Sequence, residues 1–204
     1  YGLTECGGVS CFGHIEDSLE KRTETSGRLF RGIQAQIRDP ESDDILESNQ
    51  QGEILIKGYC VFEGYHNAPE KNKEAFTSDG WFRTGDLCSL DEDGRVTYHG
   101  RIKDMLKVGA ENVAAAEIER VVAMAGNVRE AAVVGKPDKM LDEVPVVFVI
   151  ARKEDPDLPD RILETCRDQL ADFKVPREVF VVDSLPRVTL EKIDKKTLRA
   201  QLKS

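Results

Sequence analysis

No apolar run in this sequence approaches the roughly 20 residues that a membrane-spanning helix needs, so no span is expected. A basic stripe is missing too. The 29 Lys and Arg residues are outnumbered by 38 Asp and Glu, and the two signs are mixed along the whole length. With a net charge of -9 and a pI near 5.0, the chain has no footprint for phosphate backbones or anionic lipid, which excludes nucleic acid and membrane surfaces as expected partners. The five cysteines, Cys6, Cys11, Cys60, Cys88 and Cys166, contain no C-x-x-C pair and are odd in number. They read as buried or free thiols of a reducing compartment, and zinc is not expected. His14, His66 and His99 show no spacing that suits a metal site or a catalytic pair. Internal repeats and low-complexity tracts are absent, as are an initiator methionine and a signal-like start, and the expected compartment is the cytoplasm.

What is present divides into two textures. With 40% hydrophobic residues among 204, the chain can bury a core in one or two domains. Up to about residue 101 the apolar stretches are short and separated by glycine or polar turns, as in "LFRGIQAQIRD", "GEILIKGYCVFEGY" and "GWFRTGDLCSLDEDGRVTYHG". That pattern predicts strands, and Asp93-Gly94 between "LCSL" and "RVTYH" predicts a tight hairpin, because glycine accepts positive φ. Trp81 and Phe82 read as core anchors.

The second half switches period. Ile118, Val121, Val122 and Ala125 recur at helical spacing, and Gly126 follows as a stop. "VREAAVVGK" and the β-branched run "VPVVFVIA" predict buried strands. "LPDRILETCRDQLADF" predicts a helix with Pro159 in its first turn and Ile162, Leu163, Cys166 and Leu170 on one face. "EVFVVD" predicts a strand, and "DKKTLRAQL" a terminal helix with Asp194 as N-cap. Alternating strands and helices predict a compact α+β or α/β domain. Between the halves, "GRIKDMLKVGAENV" places Arg101, Lys103, Asp104 and Lys107 where one domain ends, and by pattern alone it is a solvated connector.

Taken in order, "YGLTE", "GEILIKGYCVFEGYHNAPE", "GWFRTGDL", "GRIKDMLKVGAENVAAAEIE" and "LPRVTLEKIDKKTLR" resemble the adenylate-forming superfamily, which includes acyl-CoA synthetases, peptide-synthetase adenylation domains and firefly luciferase. Five ordered motifs spanning Tyr1 to about Leu202 are far more specific than one glycine fingerprint. The resemblance implies an α+β chain in two parts: residues 1–102 as the β-rich end of a large AMP-binding domain, and 103–204 as a small mobile C-terminal domain joined by a hinge. Relatives carry several hundred residues before this point, including a Ser/Thr/Gly-rich triphosphate loop that is not found here, so the chain is expected to be the last part of such an enzyme.

The resemblance also implies roles for individual residues. Tyr1 would lie against adenine, Thr4 would bond the α-phosphate, and Glu5 would hold Mg²⁺; as isolated residues they are only a turn. Asp86 in "TGD" would accept from both ribose hydroxyls, against the alternative of capping a turn after Gly85. Arg101 would bind ribose or phosphate oxygens, against that of a surface ion pair. Lys192 would be the catalytic lysine, bridging substrate carboxylate and α-phosphate as charge builds at phosphorus, against that of one member of a solvated cluster with Lys195 and Lys196. Glu191 stands before it where relatives usually have glycine. Lys103 would be the hinge about which the small domain turns between two half-reactions, and Lys107 and Gly109 would lie near the incoming thiol. Two further departures are Ala110 where relatives commonly have a second glycine, and Ala115 where they have proline.

The function this implies is an ATP-dependent carboxylic acid:CoA ligase that forms an acyl-adenylate and then a thioester, with ATP, AMP, Mg²⁺ and CoA as its small molecules and the missing N-terminal part of the same enzyme as its partner. The string "GYHNAPEKNKEAF...DGWFRTGDL" favours CoA over a carrier-protein thiol. The alternative is a chain that alone is non-catalytic and binds AMP or CoA weakly.

Overall fold

The structure, a computed structural model, describes residues 1–189 and 192–202. The chain forms two compact units, Tyr1–Lys103 and Asp104–Ser204. Together they make an α+β protein in which short helices are set among antiparallel and mixed sheets. Among the described residues no helix is long and apolar enough to cross a membrane.

The first unit is β-rich. Strands β1 (Cys11–Phe12) and β2 (Arg28–Leu29) pair antiparallel, with helix α1 (Leu19–Glu24) between them in the chain. Strands β3 (Ile33–Arg38), β4 (Gly52–Gly58), β5 (Phe82–Leu90) and β6 (Val96–Arg101) form a four-stranded antiparallel sheet in that order, and helix α2 (Pro69–Ala75) leads into β5. The two-residue repeat decides which face is buried. Ile33 and Ile37 on β3 and Ile54 and Ile56 on β4 fall on one side, where Phe82, Cys88 and Val96 join them. Phe82 is the aromatic anchor, with Phe62 edge-on at 5.3 Å and Phe76 at 5.5 Å. Its neighbour Trp81 is only half-buried, stands outside that cluster and carries the Lys57 ammonium 5.8 Å above its ring, so one of the two expected anchors is not in the core.

The hairpin between β5 and β6 is present, but its loop is longer than the Asp93-Gly94 pair suggests. Asp91 and Arg95 close it by a backbone bond of 3.0 Å, and Gly94 inside it takes φ 73°. Arg95 at the end of the loop is only 3% exposed, and its guanidinium is matched by Asp17 at 2.8 Å and by Asp93 of the loop.

In the second unit, β7 (Met105–Val108) and β8 (Glu111–Ala114) form a hairpin, followed by α3 (Ala115–Met124), β9 (Val128–Asp138), β10 (Asp142–Ala151), α4 (Leu158–Gln169), β11 (Glu178–Val181) and α5 (Lys195–Gln201). The stretch expected to be a solvated connector is therefore largely sheet: Met105–Val108 and Glu111–Ala114 pair with each other, and β7 also pairs with β10. Its charges hid a two-residue apolar repeat, since Leu106 and Val108 point into the core while Lys107 stands exposed between them.

Strand β10 lies between β9, antiparallel, and β11, parallel. Val147 and Val149 face one cluster with Ile118, Val122, Leu158, Ile162 and Cys166 of α3 and α4, while Val146, Phe148 and Ile150 face another with Leu185 and Leu198. Burial on both faces explains why the run is continuously apolar rather than alternating. Helix α3 ends at Met124 with Gly126 at φ 73°, and Asp194 caps α5 by accepting from the amides of Lys196 and Thr197 at 3.1 and 3.2 Å. Truncating the fully buried Ile118 to alanine would cost about 2 to 5 kcal/mol.

Candidate functional site

The first unit gathers five of the singled-out side chains and their supports. Residues 1 to 11 fold into a closed loop: the Tyr1 carbonyl accepts from the amides of Ser10 and Cys11 at 2.9 and 3.1 Å, and the Leu3 carbonyl from those of Cys6 and Gly8 at 3.0 Å each. Gly2 is required by the crossing, because a Cβ there would sit 2.0 Å from the Gly8 oxygen. Glu5 rides on the 3-10 turn Thr4–Cys6, with Thr4 exposed beside it.

Asp86 reaches this loop because β5 is irregular. The register against β4 jumps between Glu53 and Leu55, so that Thr84, Gly85 and Asp86 bulge opposite Ile54. "TGD" is thus a bulge inside a strand, and the expected turn cap is absent. Gly85 supplies φ 70°, and the amides displaced from the ladder find side chains: Gly85 N–H donates to Glu53 Oε1 at 2.9 Å, and Asp86 N–H to the Thr84 hydroxyl at 3.1 Å. Thr84 in turn donates to the Ile54 carbonyl at 2.7 Å. The bulge re-aims Asp86 toward Tyr1, whose hydroxyl donates to Asp86 Oδ2 at 2.7 Å.

Arg101, opposite Asp86 in the β5–β6 register, brings Nε to 2.8 Å from Oδ1. That contact is an ion pair without hydrogen-bond alignment, and Oδ1, fully buried, accepts no hydrogen bond. Burial pushes the Asp86 carboxyl up from its ordinary value, with Glu5 and Glu53 adding to the rise and the Tyr1 hydroxyl and Arg101 opposing it. Burial likewise pushes the Tyr1 phenol up, with Asp86 the next cause.

Glu5 is held from a residue that the sequence reading did not single out. Tyr65 donates its hydroxyl to Glu5 Oε1 at 2.8 Å. The Tyr65 backbone is gripped at both polar atoms by Asn72, whose Oδ1 accepts from its N–H at 2.7 Å and whose Nδ2 donates to its carbonyl at 3.0 Å. Phe62 packs edge-on against the ring at 4.9 Å, and the Lys71 ammonium lies 3.5 Å from its centre. Sixty positions separate Glu5 from Tyr65, and no local pattern ties them together. Among the described residues no group of three His, Cys, Asp or Glu side chains forms a metal cage. A single carboxylate suits Mg²⁺, which keeps several waters and is usually completed by substrate phosphates.

In the second unit, Lys107 projects from β7, and Gly109 takes φ 62° in the turn to β8. Lys192 is exposed on a tight turn in which its amide donates to Thr189 and its carbonyl accepts from Val188 N–H at 2.9 Å. Glu191, the departure noted beside it, lies outside the described residues. Lys103, the last residue of the first unit and also exposed, sits in the 3-10 turn Ile102–Asp104.

Residues 1–66 match the AMP-binding enzyme family and residues 117–192 the AMP-binding enzyme C-terminal domain. The mitochondrial medium-chain acyl-CoA ligase of Bos taurus is 35% identical over 202 residues, covering 99% of this chain and 33% of the relative. The 4-coumarate–CoA ligase 5 of Oryza sativa subsp. japonica is 34% identical, covering 99% of this chain and 38% of the relative. The chain thus spans little more than a third of these relatives. The crystal structure of ATP-bound MatB from Rhodopseudomonas palustris matches all of the chain and 40% of its own length at TM-score 0.88 and 36% identity. The o-succinylbenzoate CoA synthetase MenE of Bacillus subtilis, in complex with its acyl-adenylate intermediate, does so at TM-score 0.89 and 32% identity. Motif order and these matches lead to one conclusion: the chain belongs to the adenylate-forming superfamily of AMP-binding enzymes.

Proposed function

We propose that this chain is the nucleotide- and thiol-handling part of an ATP-dependent carboxylic acid:CoA ligase. In the first half-reaction an acid oxygen attacks the α-phosphorus of ATP and pyrophosphate leaves. In the second, the CoA sulfur attacks the acyl carbon, AMP leaves and the thioester remains. The observation that carries the reading is Asp86, a carboxylate aimed by a strand bulge and clamped by Tyr1 and Arg101.

On this reading Asp86 accepts from the ribose hydroxyls, Arg101 bonds ribose or phosphate oxygens, the Tyr1 ring packs against adenine and Thr4 bonds the α-phosphate. Glu5, oriented by Tyr65, is the carboxylate that would hold Mg²⁺. The ion would neutralise phosphate charge when bound. Lys192 supplies a mobile positive charge to the adenylation step, and exposure on a turn suits that use. Lys103 serves as the hinge residue between the two half-reactions. Lys107 and Gly109 line the approach of the thiol, where a glycine lets a narrow pantetheine arm pass close to the backbone.

The test is ATP–pyrophosphate exchange by the complete ligase polypeptide across a panel of acids, followed by thioester formation with CoA. Exchange that depends on an acid, with AMP released when CoA is added, is the expected result; ADP release, or no exchange with any acid, overturns it. A second reading concerns the 204 residues alone. Because they cover only 33% to 38% of the curated relatives, they would bind AMP or CoA weakly without turnover. Exchange by the isolated chain would refute that reading.

A further inference from the structure

We propose that Glu143 is a positioning residue for the segment Lys107–Gly109, setting the backbone path along which the thiol arrives. This rests on the role given to that segment above.

In an antiparallel strand alternate amides point to the same side, so the N–H groups of Lys107 and Gly109 share one edge of β7. The neighbour on that edge is the tip of the β9–β10 hairpin, and it answers the two amides differently. Gly109 N–H donates to the Leu141 carbonyl at 2.7 Å, an ordinary ladder bond beside the Asp142–Val108 pair. Lys107 N–H donates to the Glu143 side chain, at 3.1 Å from Oε2. A carboxylate thus stands where the ladder would otherwise supply a carbonyl, and an ionised acceptor makes the stronger bond.

The hairpin tip is built to hold that carboxylate still. Asp138 Oδ1 accepts from the amides of Met140 and Leu141 at 2.8 and 3.0 Å, and Asp142 takes φ 59°. On β9, Gly135 leaves the space in which the carboxylate lies: a Cβ there would sit 2.6 Å from Glu143 Cδ and Oε2. Gly135 does not have positive φ, so the backbone does not demand glycine and the missing side chain is what matters. The segment ahead of the β7–β8 turn is therefore pinned at two amides two residues apart, one by backbone and one by Glu143. Removing the second pin frees Lys107 to shift, and displacements of about 1 Å at a reacting centre cost up to roughly 100-fold in rate.

Three variants of the complete ligase test this by half-reaction. Glu143→Ala should lower thioester formation from supplied acyl-adenylate by about tenfold while pyrophosphate exchange stays within about twofold. Glu143→Gln, which keeps an acceptor oxygen, should restore most of the loss. Gly135→Ala should reproduce the alanine phenotype with the carboxylate still present, and at small cost to folding, because the atoms it meets are the far end of a flexible side chain. In the 204-residue chain, hydrogen exchange of the Lys107 amide should quicken in the first and third variants and not in the second.

Equal loss in both half-reactions, or no quickening of that amide, overturns the proposal in favour of a purely structural or idle Glu143. Gly109→Val separates the two levels of argument. If it spares thioester formation, the role of the segment itself is wrong; if it impairs that step while Glu143→Ala does not, only the positioning role of Glu143 fails.

Discussion

Asp86 in the first unit and Lys192 in the second carry single charges and are held in opposite ways. Asp86 is buried, aimed by a bulge, bonded by Tyr1 and paired with Arg101. Lys192 is exposed on a turn whose bonds involve its backbone. In the proposed roles the contrast has a reason: a carboxylate that is to recognise two fixed hydroxyls gains from being prepaid in desolvation and orientation, since its acceptor geometry is then set before the ligand arrives. A cation that is to follow charge developing at phosphorus gains from a long stem and freedom to move.

The sharpest way to break this contrast is Lys192→Ala. In the complete ligase it should lower pyrophosphate exchange by about 100- to 1,000-fold and leave thioester formation from supplied acyl-adenylate nearly intact. Equal loss in both steps would mean that the lysine is not specific to adenylation. Asp86→Asn should come next, weakening AMP binding by about 10- to 100-fold by calorimetry, because an amide offers one acceptor where the carboxylate offers two.

The same variant carries a stability signature whose sign follows from burial. An acid whose folded pKa lies above its ordinary value of 3.8 disfavours the fold once it ionises, so Asp86 withdraws stability as pH rises from 3.8 through the folded value. Denaturant melts should therefore show Asp86→Asn gaining on the parent chain between pH 4 and pH 7. Asp17 works the other way. Its carboxyl is held at about 2, chiefly by hydrogen bonding to Arg95, so its contribution is complete above 3.8 and is lost as pH falls toward 2. A variant that lost ground to the parent between pH 4 and 7 would mean that the clamp by Tyr1 and Arg101 outweighs desolvation.

Tyr65→Phe is expected to act more gently. It removes the hydroxyl from Glu5 and keeps the ring against Phe62, so the Mg²⁺ concentration for half-maximal pyrophosphate exchange should rise roughly tenfold. Direct Mn²⁺ titration in the presence of nucleotide, read by electron paramagnetic resonance, should show the same weakening. An unchanged metal requirement would remove Tyr65 from the site. The smallest effect concerns thiols. Cys6 is fully buried and pushed up to about 12 by that burial, so a short alkylation pulse at neutral pH should label the half-buried Cys60 first.

Legibility in the sequence followed the range of the interaction. Helix α3 was readable because Ile118, Val121 and Val122 announce a face within one turn and Gly126 ends it locally. The cap of α5 was readable for the same reason, since Asp194 bonds amides two and three residues away. The β7–β8 hairpin was missed because alternating charges look the same on a strand edge as on a free connector, and only pairing with β10 tells them apart. The burial of Arg95 at the end of that hairpin loop was missed because its partner Asp17 lies 78 positions away.

The site divides along the same line. Tyr1, Glu5, Asp86 and Arg101 could be named from ordered motifs, while Tyr65, Glu53 and Thr84, which aim and orient them, could not. By itself the sequence determined which side chains to propose for the chemistry, where helices begin and end, and that strands dominate the first half, because those readings depend on residue type and short spacing. Only the tertiary structure decided that "TGD" is a bulge, that Glu53 and Tyr65 complete the cluster, and that Glu143 grips a strand 36 positions away. Hydrogen bonds across a sheet are set by register, and register is a property of two strands that neither contains alone.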